Sequence, residues 1–527
     1  MGPRTLTGRP VILLIAGVAA VLLVAVACHD LVQRKHAILR NFPIVGHFRY
    51  LLEAVGPEIR QYIVTSNTEE RPFSRGQRRW VYASSKRQNN YFAFGTDNDL
   101  EQSPNYPIIK HSAFPLRSPH VTDPDYDPHY RIPARKVIGE HRRRRKAFRP
   151  ASVVNVSGMS YGSLSGAAVR ALNLGSKLAG CFQNTGEGGL SPHHASGGGD
   201  LIFQIGTGYF ACRDLQGRFD MTRLRDLVAG HPQVRAIEIK LSQGAKPGIG
   251  GVLPRQKITA EIAQIRHIPR DRDCVSPAAH SAFSDVSSML DFVEALADAT
   301  GLPVGIKSAV GDLGFWQELA YLMSTTDRGV DFITIDGGEG GTGAAPLVFA
   351  DRVGLPFKIG FSRVQLVFAE RNLHERIVFI GSGKLGFPDA ALIGFALGCD
   401  LINVGREALL AIGCIQAQKC HTNHCPTGIA TQSAWLSRGL DPNLKSVRLA
   451  NYVVMLRKEL LALSRACGVD HPALVTATQI EILDSRFGAR TVADLLGGRG
   501  RGLQASDDWP SSPDERTNAL LAIQPAR

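Results

Sequence analysis

PVGIKSAVGDLGFWQELAYLMSTTDRGVDFITIDGGEGGTG, residues 303–343, holds the pattern that decides the fold. A short apolar run (PVGIKS, 303–308) ends on a lysine and its serine. A helical segment follows, and a second run (DFITID, 331–336) opens into a glycine-rich loop. Strands buried on both faces read as short continuous apolar runs rather than as alternation. Strand, helix and strand in succession give a parallel pair joined by a crossover. Six further runs repeat the unit: 152–157 (SVVNVS), 179–184 (AGCFQN), 202–206 (IFQIG), 235–241 (RAIEIKL), 376–381 (RIVFIG) and 400–404 (DLINV). Helical segments such as 164–178 and 387–397 lie between them. Eight units over roughly 250 residues is the size of a (β/α)8 TIM barrel. A doubly wound open sheet is the alternative.

The ends of the runs carry the chemistry. They read Ser157, Gly158, Met159 and Ser160 at the first, TGEGG (185–189) at the second, then Gln204, Lys240 and Lys307. The last three are Asp336 with its glycines, Gly381-Ser382-Gly383, and Gly405-Arg406. Barrel active sites collect at the C-terminal strand ends, and phosphate groups bind at the loops after strands seven and eight. Gly381, Ser382, Gly383 and Gly405 offer backbone N–H groups there, and Arg406 can fork onto phosphate oxygens. The loop after strand six adds Gly338, Gly341, Thr342 and Gly343. FMN is the natural occupant of such a rim. Lys307 is placed to face the flavin, where positive charge tunes the reduced ring.

Working outward, the chain has 527 residues and a net charge of +13. Residues 129–150 carry nine Lys/Arg against one acidic residue, +8 of that total. The tract Arg142 to Lys146 reads as a solvated loop beside the barrel entrance, with anionic lipid or an acidic protein as possible partners. No aromatic residues interleave its arginines, so no nucleic-acid partner is expected. Residues 29–150 form a lead-in segment and 151–435 the barrel. Beyond 430 the chain reads as helical, over 442–467 and 475–485, giving a helical extension at 436–496. Residues 497–527 read as a disordered tail.

Residues 11–28 (VILLIAGVAAVLLVAVAC) are an unbroken apolar run long enough for a transmembrane helix. Arg4 and Arg9 precede it; Arg34, Lys35 and Arg40 follow. We expect a single-pass anchor in the cell inner membrane with the bulk in the cytoplasm; a cleaved signal peptide is the alternative.

Nine cysteines in 527 residues are too few for a disulfide framework. Three are local: Cys414, Cys420 and Cys425, with spacing C-x5-C-x4-C. Thiolates at this spacing suit a [3Fe-4S] cluster, or a zinc site completed by His421 or His424. Their place just after the eighth run and Arg406 favours an electron-transfer cluster beside a flavin.

Together the motifs NVSGMSYGSLS (155–165), NTGEGG (184–189), EIKLSQGAKPGIGG (238–251), DGGEGGTGAAPL (336–347) and GCIQAQKCHTNHCPTGIATQ (413–432) closely resemble the synthase domain of glutamate synthases. The resemblance covers roughly residues 150–435. It implies a (β/α)8 barrel with FMN and a [3Fe-4S] cluster on Cys414, Cys420 and Cys425. It implies that Gln204 and Lys307 hold FMN with the glycine loops. Lys240 and Lys246 fall on the two lysines that bind the oxoacid skeleton, and Glu187 and Arg266 match the family's glutamate and arginine. The resemblance is to a stand-alone, membrane-anchored bacterial synthase domain. Ile249 and Val252 depart from the family pattern, which has an acidic residue and a glutamine there, so the substrate can differ.

The expected activity is an oxidoreductase acting on CH–NH2 donors. It reduces an imino or oxo acid, 2-iminoglutarate-like, with electrons passing from an external donor through the cluster to FMN. Apart from GEGGTG (338–343), the loop already given to FMN, no GxGxxG unit for NAD(P)H or FAD is evident, so the donor is a ferredoxin-like carrier or a reductase subunit. Ammonia is free or comes from a separate glutaminase. The rival readings are a membrane redox module that serves a protein partner, and a zinc-stabilised membrane-surface binding protein.

Overall fold

The computed structural model describes residues 9–33, 37–59, 69–88, 95–96, 98–100, 103–484 and 488–495. The expected tail at 497–527 and the charges at Arg4, Arg34 and Lys35 lie outside the described residues. The chain divides into two compact units, residues 1–78 and 79–527.

In the first unit a helix spans Arg9–Val32. Its stretch Ile12–Val32 has mean hydropathy 2.7 and is exposed, which makes it long and apolar enough to cross a membrane. Asp30, at its end, accepts hydrogen bonds from the Ile44 N–H (2.9 Å) and pairs with His47 Nε2 (3.0 Å). That fixes the turn into the helix Val45–Ile59.

The second unit is built on a closed barrel of eight parallel strands. They are β1 (Val154–Val156), β2 (Gln183–Asn184), β3 (Leu201–Ile205), β4 (Val234–Lys240), β5 (Val304–Ser308), β6 (Phe332–Asp336), β7 (Val378–Ser382) and β8 (Leu401–Val404). Neighbours pair in chain order, and β8 closes on β1. Each apolar run read from the sequence overlaps one of them; three of the strands, Leu201–Ile205, Val234–Lys240 and Val378–Ser382, extend one residue beyond their run. Alternation sets what faces where. Ile237, Ile239, Ile306, Ile333 and Ile335 are fully buried, each contributing about 1.5–3 kcal/mol. The alternate positions of β4, Glu238 and Lys240, project to the other face, and register aligns Lys240 with Lys307 and Gln204 with Glu238.

The helix Gly166–Ala179 starts at Ser165, whose side chain accepts the Ala168 N–H, and stops at Gly180, in the left-handed region at φ 68°. The helix Pro442–Ala466 packs on it. Gly175 is a point of close approach: a Cβ there would meet Leu449 at 2.8 Å. Arg457, fully buried, donates to Ala179 O at 2.9 Å.

Two features differ from the sequence reading. Residues 475–485 are not one helix. A short 3-10 turn, Ala477–Gln479, leads into a strand, Ile480–Leu483, whose IEIL alternates buried and half-buried side chains with period two. That strand pairs antiparallel with Pro107–Ile109 and with Ala489–Thr491.

The basic tract is not at the entrance, and it is solvated only in part: Arg143, Arg145 and Lys146 are exposed, whereas Arg142 and Arg144 are half-buried. Arg144, 9% exposed, donates to Asp331 (3.0 Å) and forks onto Glu294 (2.5 and 3.0 Å). Lys136 pairs with Asp400 at 3.1 Å. Asp331 and Asp400 immediately precede β6 and β8, so the tract lies beneath the N-terminal ends of the strands, opposite the glycine-rich rim. Burial of two carboxylates there demands cations, and Arg144 of the tract and Lys136 upstream of it supply them.

Candidate active site

At the C-terminal strand ends a cavity of about 240 Å³ opens. Its wall carries Glu187, Lys240, Gln243 and Lys246, the stretches Gly340–Ala344 and Ser382–Lys384 with Gly405 and Arg406, and Lys257, Leu409, Cys420 and His421. Ser157, Gly158, Met159, Ser160, Gln204 and Lys307 line it as well. Of the expected site residues, Gly338, Gly381, Arg266, Cys414 and Cys425 are not on this wall. Gly381 points outward by strand parity, against Cys399, Leu385 and Phe357. Gly338 donates its N–H to Leu355 O. Arg266 stands behind the wall, donating to Tyr161 O (2.9 Å) with its guanidinium 5.0 Å from the Phe210 ring.

Charge is tightly organised. Lys240 Nζ lies 3.0 Å from Glu187 Oε2 and 3.0 Å from Gln243 Oε1, and Lys246 Nζ lies 4.0 Å from Glu187 Oε1. Burial opposes ionisation of Glu187, but the ammonium groups of Lys240 and Lys246, with Arg266, hold its carboxyl down at about 2. It is therefore a carboxylate at any working pH, and it orients lysines rather than donating a proton. Gly206 and Gly251 leave room for it: a Cβ on either would come within 2.7 Å of Glu187 atoms.

Lys307 pairs with Asp336 at 3.1 Å. Burial works against its charge, yet Asp336 and Glu238 keep its ammonium above the ordinary range. Glu238, 1% exposed, accepts from Asn184 (2.8 Å), Gln204 (2.6 Å) and Thr334 (2.7 Å). This hub was missed from sequence, although a glutamate inside a buried apolar strand is itself the signal. Asn403 was missed likewise.

The wall suits a flavin nucleotide. Asn403 Oδ1 is buried without a hydrogen-bond partner, so a donor from a ligand would satisfy it. Gly341 lies against Arg406, and a Cβ there would sit 2.4 Å from the arginine side chain.

The cysteine loop touches the same cavity. A Cβ on Gly343 would stand 3.2 Å from Cys420 Cβ. Lys257 donates to Ser163 O (2.6 Å) and Cys420 O (3.2 Å); burial pulls its ammonium down to about 8. Burial raises the Cys420 thiol. Burial acts the same way on Cys425, but the Thr427 hydroxyl and nearby backbone N–H groups hold that thiol below its usual value. Among the described residues, no three His, Cys, Asp or Glu side chains are gathered to hold a metal ion. Cys414, Cys420 and Cys425 are thus not drawn into one ligand set here, and neither is a zinc set with His421 or His424.

Residues 125–470 match the conserved region in glutamate synthase. The glutamate synthase large subunit-like protein YerD of Bacillus subtilis (strain 168) is 38% identical over 487 residues, 87% of this chain and 92% of that protein. The chain belongs to the glutamate synthase family. The archaeal glutamate synthase (NADPH) of Methanocaldococcus jannaschii is 35% identical over 317 residues. That alignment takes in 60% of this chain and 59% of the archaeal synthase, so the chain spans about three fifths of that relative's length. The flavin-binding domain of baker's yeast flavocytochrome b2 is a distant structural likeness, with TM-score 0.42 and 14% identity, covering 88% of this chain and 92% of that one. As a member of the glutamate synthase family, the chain is a glutamate-synthase-like oxidoreductase.

Proposed function

We propose that this protein is an FMN oxidoreductase that makes an amino acid from a 2-oxo acid and ammonia. The observation that carries this reading is the Lys240–Glu187–Lys246 cluster, set on the same wall as the Ser382–Lys384 and Gly405–Arg406 loops. FMN, when bound, supplies the hydride equivalent. Arg406, Gly383, Gly405 and the loop through Gly341 would hold its phosphate, and Lys307, Gln204 and Asn403 the ring. Lys240 and Lys246 hold the substrate carboxylate. Ammonium and the oxo acid give an iminium and water; the iminium takes one hydride to become the amine, and one proton from solvent gives its ammonium form. Glu187 fixes both lysines and offers its carboxylate to the incoming ammonium.

The test is anaerobic reoxidation of the reduced holoprotein against a panel of oxo acids, with and without ammonium. Reoxidation that needs both reactants is expected. Indifference to every acid would retire the reading in favour of a redox module serving a protein partner.

We propose further that iron loading draws Cys414, Cys420 and Cys425 together as a [3Fe-4S] cluster fed by an external carrier. About three irons per chain are expected, and a zinc-only preparation refutes it. The helix Arg9–Val32 is proposed as the inner-membrane anchor, checked by fractionation.

Gly341→Ala pushes Arg406 aside and should weaken FMN binding about tenfold, roughly one charge-assisted hydrogen bond. Fluorescence titration of the flavin-stripped protein checks it.

A further inference from the structure

The helix Val45–Ile59 carries an apolar stripe that stays open. Phe48, Leu51, Leu52 and Val55 recur at the i, i+3, i+4, i+7 spacing of one helical face. They are between 36% and 61% exposed. Arg49 and Glu53 pair at 2.8 Å away from that stripe. The helix is two-sided, apolar along one face and charged along another, yet its apolar face is not spent on a core.

Depth decides what covers it. The stretch Ile12–Val32 has 21 residues and rises about 30 Å, the thickness of a bilayer's hydrocarbon core. Asp30 stands two residues before its end, at the boundary between acyl chains and headgroups. The turn that follows buries this carboxylate completely. Asp30 accepts the Ile44 N–H at 2.9 Å, and His47 Nε2 lies 3.0 Å from both its oxygens. Leu39, also buried, closes the turn against Gly46, where a Cβ would stand 3.0 Å from the leucine side chain. The first turn of Val45–Ile59 is thus tied to the end of the span and shares its depth. A two-sided helix that starts there is most stable lying in the boundary, stripe toward the acyl chains and charges toward water. Arg40 and Arg49, both exposed, add positive charge beside the turn, which suits headgroup phosphates.

We infer that Val45–Ile59 lies in the lipid interface of the bilayer that Arg9–Val32 spans, with Phe48, Leu51, Leu52 and Val55 against the acyl chains. The inference rests on the proposed anchor and gives it a second membrane contact, joined to the first by the Asp30 clasp.

The experiment uses the full chain in phosphatidylcholine vesicles, with a photoreactive p-benzoylphenylalanine placed at one position at a time: Phe48, Leu52, Arg49, Glu53 and, as a marker of the span, Leu22. Adducts are identified by mass spectrometry. Phe48 and Leu52 are expected to give lipid adducts about tenfold more often than Arg49 and Glu53, and Leu22 to give them too. Crosslinks from Phe48 and Leu52 to a second copy or to residues 79–527 overturn the inference, as does equal labelling of the two faces. Lipid adducts at Leu22 without any at Phe48 and Leu52 overturn it while leaving the anchor standing. No lipid adduct at any position removes anchor and inference together. As a second measurement, Leu52→Glu should speed amide exchange over residues 45–56 in vesicles about tenfold; unchanged protection overturns the inference.

Discussion

Lys240→Met should cut kcat/KM for the oxo acid by about 100- to 1,000-fold, or about 3–4 kcal/mol of transition-state stabilisation. The lysine is 8% exposed and makes the 3.0 Å contact to Glu187. Removing it deletes the nearer of the two ammonium groups and leaves a largely buried carboxylate with Lys246 at 4.0 Å and the field of Arg266. Part of the loss is therefore the cost of the unpaired Glu187, as in other truncated charge pairs. The Glu187 carboxyl should rise from about 2. In the wild-type protein its depressed value means that its stabilising contribution is complete above its ordinary value near 4.5. That contribution is lost only as pH falls through about 2. Acid should therefore unfold Lys240→Met at a higher pH than wild type. Glu187→Gln combined with Lys240→Met should cost less than the sum of the two, because the groups act as a unit. Steady-state kinetics with ammonium, alongside flavin content, separate this from loss of the cofactor.

Arg144→Ala should cost about 3–5 kcal/mol of stability, the range for stripping the partner from a buried charge. Its guanidinium joins Glu294 on the helix Val286–Thr300 to Asp331 at the foot of β6. Asp331 also accepts the Val304 N–H at 2.7 Å. Burial already lifts the Asp331 carboxyl to about 6 although Arg144 pulls against it. Without Arg144 it rises further. A raised folded-state value is stabilising below the ordinary carboxylate range and loses that contribution as pH climbs through it. The substitution should therefore be costlier at pH 8 than at pH 5.5, which thermal melts at the two pH values measure. Flavin bound per folded chain should not change, since the tract lies at the end of the barrel away from the cavity.

The barrel was legible because each strand is a run of β-branched and apolar residues closed by glycine or a polar group. Those two signals are local. The rim followed from knowing which end of each strand is which. Gly381 was misassigned because it belongs to the outward-facing set of β7, and parity matters even at a strand end. Arg266 sits at the end of the helix Ala260–Arg266, and only the packing of that helix shows its guanidinium turned to Tyr161 and Phe210. The arginine tract misled for a different reason. A run of like charges looks solvated when its partners, Glu294 and Asp331, lie 150 and 187 residues away. The leading acids of the runs DFITID and DLINV were the visible half of those pairs. Residues 475–485 were read for composition where the period of IEIL was the better guide.

The strand pairing of Pro107–Ile109 with Ile480–Leu483 bears on where this protein can be cut. The family motifs begin near 150 and end near 435, which invites expression of that span as a portable module. Such a fragment would lack both halves of this clasp, together with Lys136 and Arg144 from the floor. It would also lack the helix Pro442–Ala466 that covers Gly166–Ala179. Asp331 and Asp400 would be left in an open base without their cations, and the helix Gly166–Ala179 would lose its cover at Gly175. The smallest portable piece therefore reaches beyond the motifs on both sides, back past residue 107 and forward past residue 483.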